Sequence, residues 1–153
     1  MKAKNKKLMR EQLDITLGRF KRLKATSPPQ KGWIRAVRDA LGMTGGQLAK
    51  RLDVNKQRVA RIERDETGGK ITLKTLMHVA EALDCVCVYG IVPKTTLKQT
   101  IKRQAALVAA SRMSRVDQTM RLEKQGLSEA EKLKVLKQQI EDIINAMPKS
   151  LWE

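Results

Sequence analysis

Residues 43–65 read MTGGQLAKRLDVNKQRVARIERD, and this stretch decides the fold. Apolar residues recur at helical spacing on both sides of a short polar bend at residues 53–55. Thr44 and Asn55 are residue types whose side-chain oxygens accept hydrogen bonds from the first backbone N–H groups of a helix. The stretch therefore predicts two short helices joined by a tight turn, each beginning after its own cap.

One face of this helical pair is apolar. Six residues are predicted to pack inward: Leu48, Ala49, Leu52, Val54, Val59 and Ile62. Val54 is expected to fill the bend, and the small Ala49 lets the second helix cross the first closely. The second helix then presents its remaining side chains outward, and these are Lys56, Gln57, Arg58, Ala60, Arg61 and Arg64.

The outward face has the chemistry of a major-groove reader. Lys56 and Arg61 can donate hydrogen bonds to guanine O6 and N7, and Gln57 can form two hydrogen bonds with adenine. These three are the predicted base-reading residues. Contacts with DNA phosphates, which position a protein without reading sequence, are predicted for Thr44, Gln47, Lys50, Asn55, Arg58 and Arg64.

The composition favours a polyanionic partner. The 153 residues include 32 Lys and Arg against 16 Asp and Glu, which gives a formal net charge of +16. Each cation placed near a phosphate releases condensed counterions, so nucleic acid is the natural partner. A generically basic protein is the alternative. Aromatic residues are only 3% of the chain, so the core is predicted to be aliphatic.

Other function classes find little support in the sequence. No run of 18 apolar residues exists, and the N-terminus lacks the apolar segment of a secretory signal. We therefore expect a cytoplasmic, nucleoid-associated bacterial protein without a membrane partner. A single histidine, His78, and two close cysteines, Cys85 and Cys87, offer no catalytic triad, metal site or cofactor site.

The remaining periodicities predict helices on both sides of this stretch. Helices are expected near residues 5–25, 33–41, 73–83 and 95–124, the third of them capped by Thr72, with a loop at residues 65–70. Ser128 and Glu131 have the spacing of a capping box that begins a last helix. That helix carries an apolar seam of Leu133, Leu136, Ile140, Ile143 and Met147. Three regions follow: 1–31, a basic amphipathic helix and linker; 32–93, the DNA-binding domain; and 94–153, a helical extension for dimer or partner contacts.

One segment has the composition of a β-strand. Residues 85–92 read CVCVYGIV, and Pro93 follows. A strand must pair its backbone, and no second strand is predicted in the chain. We therefore expect this one short strand to pair with its own copy across a two-fold axis. The predicted dimer contacts are Cys85, Val86, Cys87, Val88 and Tyr89.

Residues 34–65 resemble the Cro/CI-type, or Xre, helix–turn–helix of bacterial and phage repressors. The matching features are the Arg35–Arg38 helix, the Thr44 cap, Leu48 with Ala49, Val54, Val59, and Ile62 with Glu63. The resemblance implies a mainly α protein with a five-helix lambda-repressor-like domain that binds operators as a dimer. It also implies that Lys56, Gln57 and Arg61 occupy base-reading positions. The sequence departs from the family at Gly45 and Gly46, where a phosphate-contacting Gln is common.

A longer resemblance, over roughly residues 5–110, is to the family labelled mobile mystery protein A. It rests on GWIRAVRDALGMTGGQLAKRL, QRVARIE, ITLKTL, AEALDC and VYGIVPKTTL. Members of that family are typically encoded beside a Fic-domain protein, which the resemblance implies as a second partner. The expected function is thus a homodimeric repressor that binds an inverted-repeat operator in double-stranded DNA and autoregulates its operon. The alternative is an antitoxin that acts mainly by binding the neighbouring toxin.

Overall fold

The computed structural model describes residues 3–122 and 126–153, and these are almost entirely helical. The α-helices are α1 (Ala3–Gly18), α2 (Trp33–Ala40), α3 (Gly45–Arg51), α4 (Lys56–Thr67), α5 (Leu73–Ala82), α6 (Leu97–Leu122) and α7 (Glu129–Ala146). Two 3-10 helices cover Arg19–Ala25 and Lys149–Trp152. The prediction of a mainly helical chain is therefore confirmed. Residues 123–124, at the end of the predicted sixth helix, lie outside the described part.

The expected strand at residues 85–92 is not formed, and this corrects the prediction. The segment is irregular, and the described ranges contain no strand at all. A strand needs a second extended backbone for its hydrogen bonds, and residues 3–122 and 126–153 of one chain supply none. Cys85 instead continues the helix end through its backbone N–H, which donates to the carbonyl of Ala80 at 2.8 Å. Among the predicted dimer contacts, Cys85, Val86, Val88 and Tyr89 are exposed and Cys87 is half-buried.

The chain divides into two compact units, which are described separately. One comprises Arg22–Gly90, and the other combines Met1–Lys21 with Ile91–Glu153. The first unit holds α2 to α5 around an aliphatic core. Its buried apolar residues are Ile34, Leu48, Ala49, Leu52, Val59, Ile62, Val79 and Leu83.

Helix caps explain why the helices of the first unit begin where they do. The side chain of Thr44 accepts a hydrogen bond from the backbone N–H of Gln47. The side chain of Gln47 accepts one from the backbone N–H of Thr44, and the two bonds form a capping box. Asn55 caps α4 through a bond from the Arg58 N–H at 2.7 Å, and Thr72 caps α5. These three predicted caps are confirmed.

The bend between α3 and α4 differs from its prediction. Asp53 has a φ of 54°, in the left-handed region, and turns the chain sharply after α3. Val54, expected to fill the bend, is 37% exposed. Its backbone N–H, rather than its side chain, secures the turn, by donating to the carbonyl of Ala49 at 3.0 Å. The other five predicted inward residues are buried.

Helix α4 is also longer than predicted, because residues 65–67 continue it instead of forming a loop. The hydroxyl of Thr67 donates to the carbonyl of Arg64 at 3.0 Å, and Gly69, with a φ of +68°, ends the turn that follows. Glu66 is thereby held on the helix.

The second unit packs α1, α6, α7 and the C-terminal 3-10 helix. Its buried core contains Ile101, Ala105, Ala109, Ile143 and Leu151. The two alanines lie four residues apart on α6, where small side chains allow another helix to approach closely. From the predicted seam of α7, Ile143 is buried, Leu136, Ile140 and Met147 pack partly against this core, and Leu133 is exposed.

Capping interactions also organise the second unit. The capping box of Ser128 and Glu131 is formed as predicted. Asp14 on α1 accepts hydrogen bonds from the backbone N–H groups of Leu97 at 2.7 Å and Lys98 at 3.2 Å, and so caps α6 from 83 residues away. Over the residues that the structure describes, no helix combines the length and apolarity needed to cross a membrane.

Candidate nucleic-acid interface

Helix α4 separates its side chains into two arcs. With 3.6 residues per turn, successive residues are about 100° apart, so Lys56, Gln57 and Arg61 fall within an arc of roughly 140°. Val59 and Ile62 lie on the opposite side and are 2% and 6% exposed. The three predicted base-reading residues thus share the face that is turned away from the core, and each is exposed.

Two of the three acidic residues of α4, Glu63 and Glu66, are engaged by α2. Glu63 accepts a hydrogen bond from Nε of Arg38 at 2.7 Å, and both side chains are 11% exposed. Arg38 also donates to the carbonyl of Met43 at 2.8 Å. The hydrogen bond from Arg38 to Glu63 is the main reason that the pKa of Arg38 is raised above its ordinary value. Arg38 therefore remains charged and fixes α4 against α2.

Glu66 caps α2 from another helix. Its two carboxylate oxygens accept hydrogen bonds from the N–H groups of Trp33 at 2.7 Å and Ile34 at 3.0 Å. The residue at the N-cap of α2 is Gly32, which has no side chain to do this. This role of Glu66 was not predicted from the sequence. A glycine N-cap signals that the first N–H groups of the helix need an acceptor from elsewhere.

Among the described residues, the cationic side chains of α4 have no hydrogen-bond or ion-pair partner. Within the described ranges, the side chains of Lys56, Gln57 and Arg61 form no hydrogen bond or ion pair. Arg58 and Arg64 are likewise exposed, and so is Lys50 on α3. Because α2 engages Glu63 and Glu66, the exposed arc of α4 is strongly basic.

The capping residues retain hydrogen-bond donors for an external partner. In Thr44, Gln47 and Asn55 the caps use the side-chain oxygen as acceptor. The hydroxyl proton of Thr44 and the amide groups of Gln47 and Asn55 stay available, and all three side chains are exposed. Phosphate oxygens only accept hydrogen bonds, so the free donors are of the right kind for a DNA backbone.

A shallow groove of about 460 Å³ adjoins the arc and adds residues that the sequence analysis did not select. It is lined by Lys31 and Arg35 on one side and by Ala60 and Arg64 on the other. Arg35 lies 3.7 Å from Asp39, with both side chains about half exposed, so the pair is weak. The basic surface of α4 thus continues onto the start of α2. Only the fold reveals this, because Lys31 and Arg64 are far apart in sequence.

Other side chains in the described ranges do not assemble a metal centre. No group of three or more His, Cys, Asp or Glu in residues 3–122 and 126–153 could hold a metal ion. His78 is an exposed residue on α5. Arg51 serves the fold, since its guanidinium donates to the carbonyl of Ala82 at 3.0 Å near the end of α5.

The compact unit of capped helices around a basic, exposed α4 is a helix–turn–helix. The helix–turn–helix family matches residues 34–86, which run from the start of α2 to just beyond α5. No curated protein and no solved structure matches the chain. Residues 34–86 therefore form an Xre-type helix–turn–helix domain, a module that binds double-stranded DNA in transcription regulators.

Proposed function

We propose that the protein is a sequence-specific repressor that binds an inverted-repeat operator in double-stranded DNA as a homodimer. Each subunit places α4 in a major groove. Two-fold symmetry sets the recognition helices about 34 Å apart, one helical turn of DNA. By occupying a promoter, most directly that of its own operon, the dimer excludes RNA polymerase.

The observation that carries this proposal is the separation of charge on α4. Two of its three acidic residues, Glu63 and Glu66, bind α2, while its basic residues stay exposed and unpaired in the described structure. An unpaired basic surface attracts a polyanion, and its placement on one helical face matches the width of a major groove. The helix–turn–helix match over residues 34–86 supports the same function.

Within this proposal the residues of α4 divide the work of recognition. Lys56 and Arg61 donate to guanine, and Gln57 pairs with adenine. Ala60 lies within the same arc and is exposed, so its methyl group can contact the methyl group of thymine. The order of these four residues along α4 sets the order of the base pairs that they read.

Phosphate contacts set the register of the helix on the duplex. Thr44, Gln47 and Asn55 donate their free protons at the N-termini of α3 and α4. The cations Lys50, Arg58 and Arg64 neutralise phosphates on either side of the groove. Lys31 and Arg35 extend the contact beyond α4. With these contacts the affinity for DNA should fall steeply as the salt concentration rises, because each neutralised phosphate releases counterions.

The homodimer is proposed to form through residues 85–89. Val86, Val88 and Tyr89 are 87%, 66% and 66% exposed. Neighbouring apolar side chains with this exposure are typical of a surface that binds a partner. Their segment lines an apolar groove of about 620 Å³ that Trp33 also borders. Antiparallel pairing with the same segment of a second copy would satisfy the backbone and cover the apolar side chains.

The proposal is tested by selecting binding sites from random duplexes with the purified protein and two variants. The wild type is expected to select an inverted repeat. Arg61→Ala should lose roughly 1–3 kcal/mol of binding free energy and relax the base preference at one base pair in each half-site. Arg58→Ala should keep the sequence preference, weaken binding to all sequences similarly and make the affinity less dependent on salt concentration. Recovery of the same site with unchanged preference by Arg61→Ala would contradict the assigned register of α4.

A second candidate function is direct binding of a toxin, for which a Fic-domain neighbour is the proposed partner. The exposed apolar side chains of α1 favour it, since Leu8 is 58%, Met9 47% and Ile15 63% exposed. Such a helix is suited to the groove of another protein. Co-expression with the adjacent gene product tests this. Co-purification that Ile15→Lys abolishes, and Arg61→Ala leaves intact, would support it.

A further inference from the structure

The unit that combines Met1–Lys21 with Ile91–Glu153 contains a cleft of about 670 Å³ between α1, α6 and α7. Four cationic side chains line it, Lys4, Lys7 and Arg10 from α1 and Lys98 from the first turn of α6. Two acidic side chains, Glu11 and Glu141, also face the cleft. The lining therefore carries a net charge of +2. None of its residues belongs to the helix–turn–helix domain.

These charges do not neutralise one another. None of the six side chains forms a salt bridge or hydrogen bond within residues 3–122 and 126–153. Arg10 is the most demanding of them, because its Nη1 is shielded from solvent and has no hydrogen-bond partner in the described structure. Arg10 as a whole is half-buried, but a shielded N–H donor without a partner carries a desolvation cost. This nitrogen can therefore donate a hydrogen bond to an anion that enters the cleft.

We propose that this cleft binds a small organic phosphate that carries two negative charges. A phosphomonoester has a charge of about −1.5 to −2 at neutral pH, which matches the net charge of the lining. The fork of a guanidinium pairs with phosphate oxygens through two parallel hydrogen bonds, and Arg10 supplies that group. The cleft is far larger than one phosphate, and Ile144 gives it an apolar wall for the organic part.

The acidic side chains decide between a compact anion and a DNA backbone. Double-stranded DNA presents one charge per roughly 1.7 Å of its axis, so a duplex lying over the cleft would bring phosphates near Glu11 and Glu141 as well as near the cations. A small dianion can contact the cations and avoid both carboxylates. The composition of the lining therefore favours a small ligand.

The test measures the binding of phenyl phosphate, the probe, to the full chain by titration calorimetry. Inorganic phosphate tests the charged group alone, and phenol is the uncharged match. Phenyl phosphate is expected to bind saturably with one site per chain, and phenol is not. Arg10→Gln should weaken the binding about tenfold or more, since it removes hydrogen bonds to a charged group. Arg103→Gln, an exposed cation of α6 outside the cleft, should change nothing.

Two outcomes would overturn the proposal. One is the absence of saturable phenyl phosphate binding to the wild type, and the other is an equal loss in Arg10→Gln and Arg103→Gln. Should Arg10→Gln fail to fold, Lys7→Gln replaces it, with a weakening of severalfold expected because its charge is solvated. Displacement of phenyl phosphate by a short DNA duplex would assign the cleft to the DNA backbone and would also overturn the proposal. Arg61→Ala should bind the probe normally, so failure of the repressor proposal and failure of this one are distinguishable.

Discussion

The guanidinium of Arg38 and the carboxylate of Glu63 form an ion pair in which Nε and Oε1 lie 2.7 Å apart. The pair joins α2 to α4, and both side chains are largely withdrawn from water, at 11% exposure each. Because the pair holds α4 against α2, the orientation of the proposed recognition helix depends on it.

Removing one partner of this pair should destabilise the domain. Glu63→Ala is expected to lower the free energy of unfolding by about 1–3 kcal/mol, because it leaves a shielded guanidinium with one hydrogen bond fewer. Denaturant unfolding measures the change. Arg35→Ala, which breaks a longer and more exposed pair with Asp39, should cost less than about 0.5 kcal/mol. Equal effects of the two variants would contradict the role given to Arg38 and Glu63.

The raised pKa of Arg38 has a defined consequence for pH dependence. Its hydrogen bond to Glu63 raises the pKa, so the stability gained is fully present below the ordinary arginine pKa and is lost only as pH rises through the higher folded value. The protonation of Arg38 therefore contributes no change in stability across the neutral range.

The close approach of Gly32 to Glu66 can be tested with a double-mutant cycle. A Cβ at Gly32 would lie 2.5 Å from Oε2 of Glu66, and Gly32 has a φ of +81°. Gly32→Ala should therefore lower the thermal midpoint. In a Glu66→Ala background the clash with the carboxylate is gone, and only the backbone strain and a 3.3 Å approach to Cγ2 of Thr67 are left, so the same substitution should cost less. Additive effects would show that the two residues do not interact as described.

The capping box of α7 should respond to acid. The backbone N–H and the hydroxyl of Ser128 donate to Glu131, and the backbone hydrogen bond is the main reason that the pKa of Glu131 is lowered. A lowered pKa gives stability that is present above the ordinary glutamate value of about 4.3 and is lost as pH falls through the folded value.

Glu131→Gln keeps an acceptor at this position but cannot titrate. The thermal midpoint of this variant should fall less steeply than that of the wild type below about pH 4.3. Glu81→Gln, an exposed glutamate in the other unit, serves as control and should keep the wild-type slope. A parallel acid profile for wild type and Glu131→Gln would argue against the cap as a source of acid sensitivity.

The proposed dimer contact predicts a change of oligomeric state. Val88→Lys places a charge where two copies of residues 85–89 would pair, so the variant should sediment as a monomer at concentrations where the wild type is a dimer. Leu107→Lys replaces a side chain of similar exposure, 61%, on α6 and should leave the dimer intact. A dimer that survives Val88→Lys would place the contact elsewhere.

Local sequence rules predicted much of the helix–turn–helix unit. Thr44, Asn55 and Thr72 cap helices because capping needs only a side-chain oxygen and three following residues. Val54 failed as a prediction because the left-handed turn at Asp53, which an apolar pattern does not encode, leaves its side chain exposed. The strand expected at residues 85–92 is not formed in the single chain, because a strand needs the backbone of a second extended segment.

The interhelical contacts could not be read from local sequence. Glu66 belongs to an acidic stretch that resembles a loop, yet it caps a helix 33 residues earlier in the chain. Lys31 joins the basic surface only through the packing of α2 against α4. The predicted set of exposed cations on α4 depended on helical periodicity alone, so its exposure could be foreseen, while its contacts with bases are still a prediction.

The central claim is that the exposed arc of α4 reads DNA sequence. Its most direct test compares the affinity for the selected operator with that for a scrambled duplex, by fluorescence anisotropy at fixed salt. Replacing Lys56, Gln57 and Arg61 together by alanine should bring the two affinities together. The double variant Lys134→Ala and Lys137→Ala, which removes the same number of charges from α7, should preserve the difference. An operator preference that survives the α4 substitutions would contradict the account.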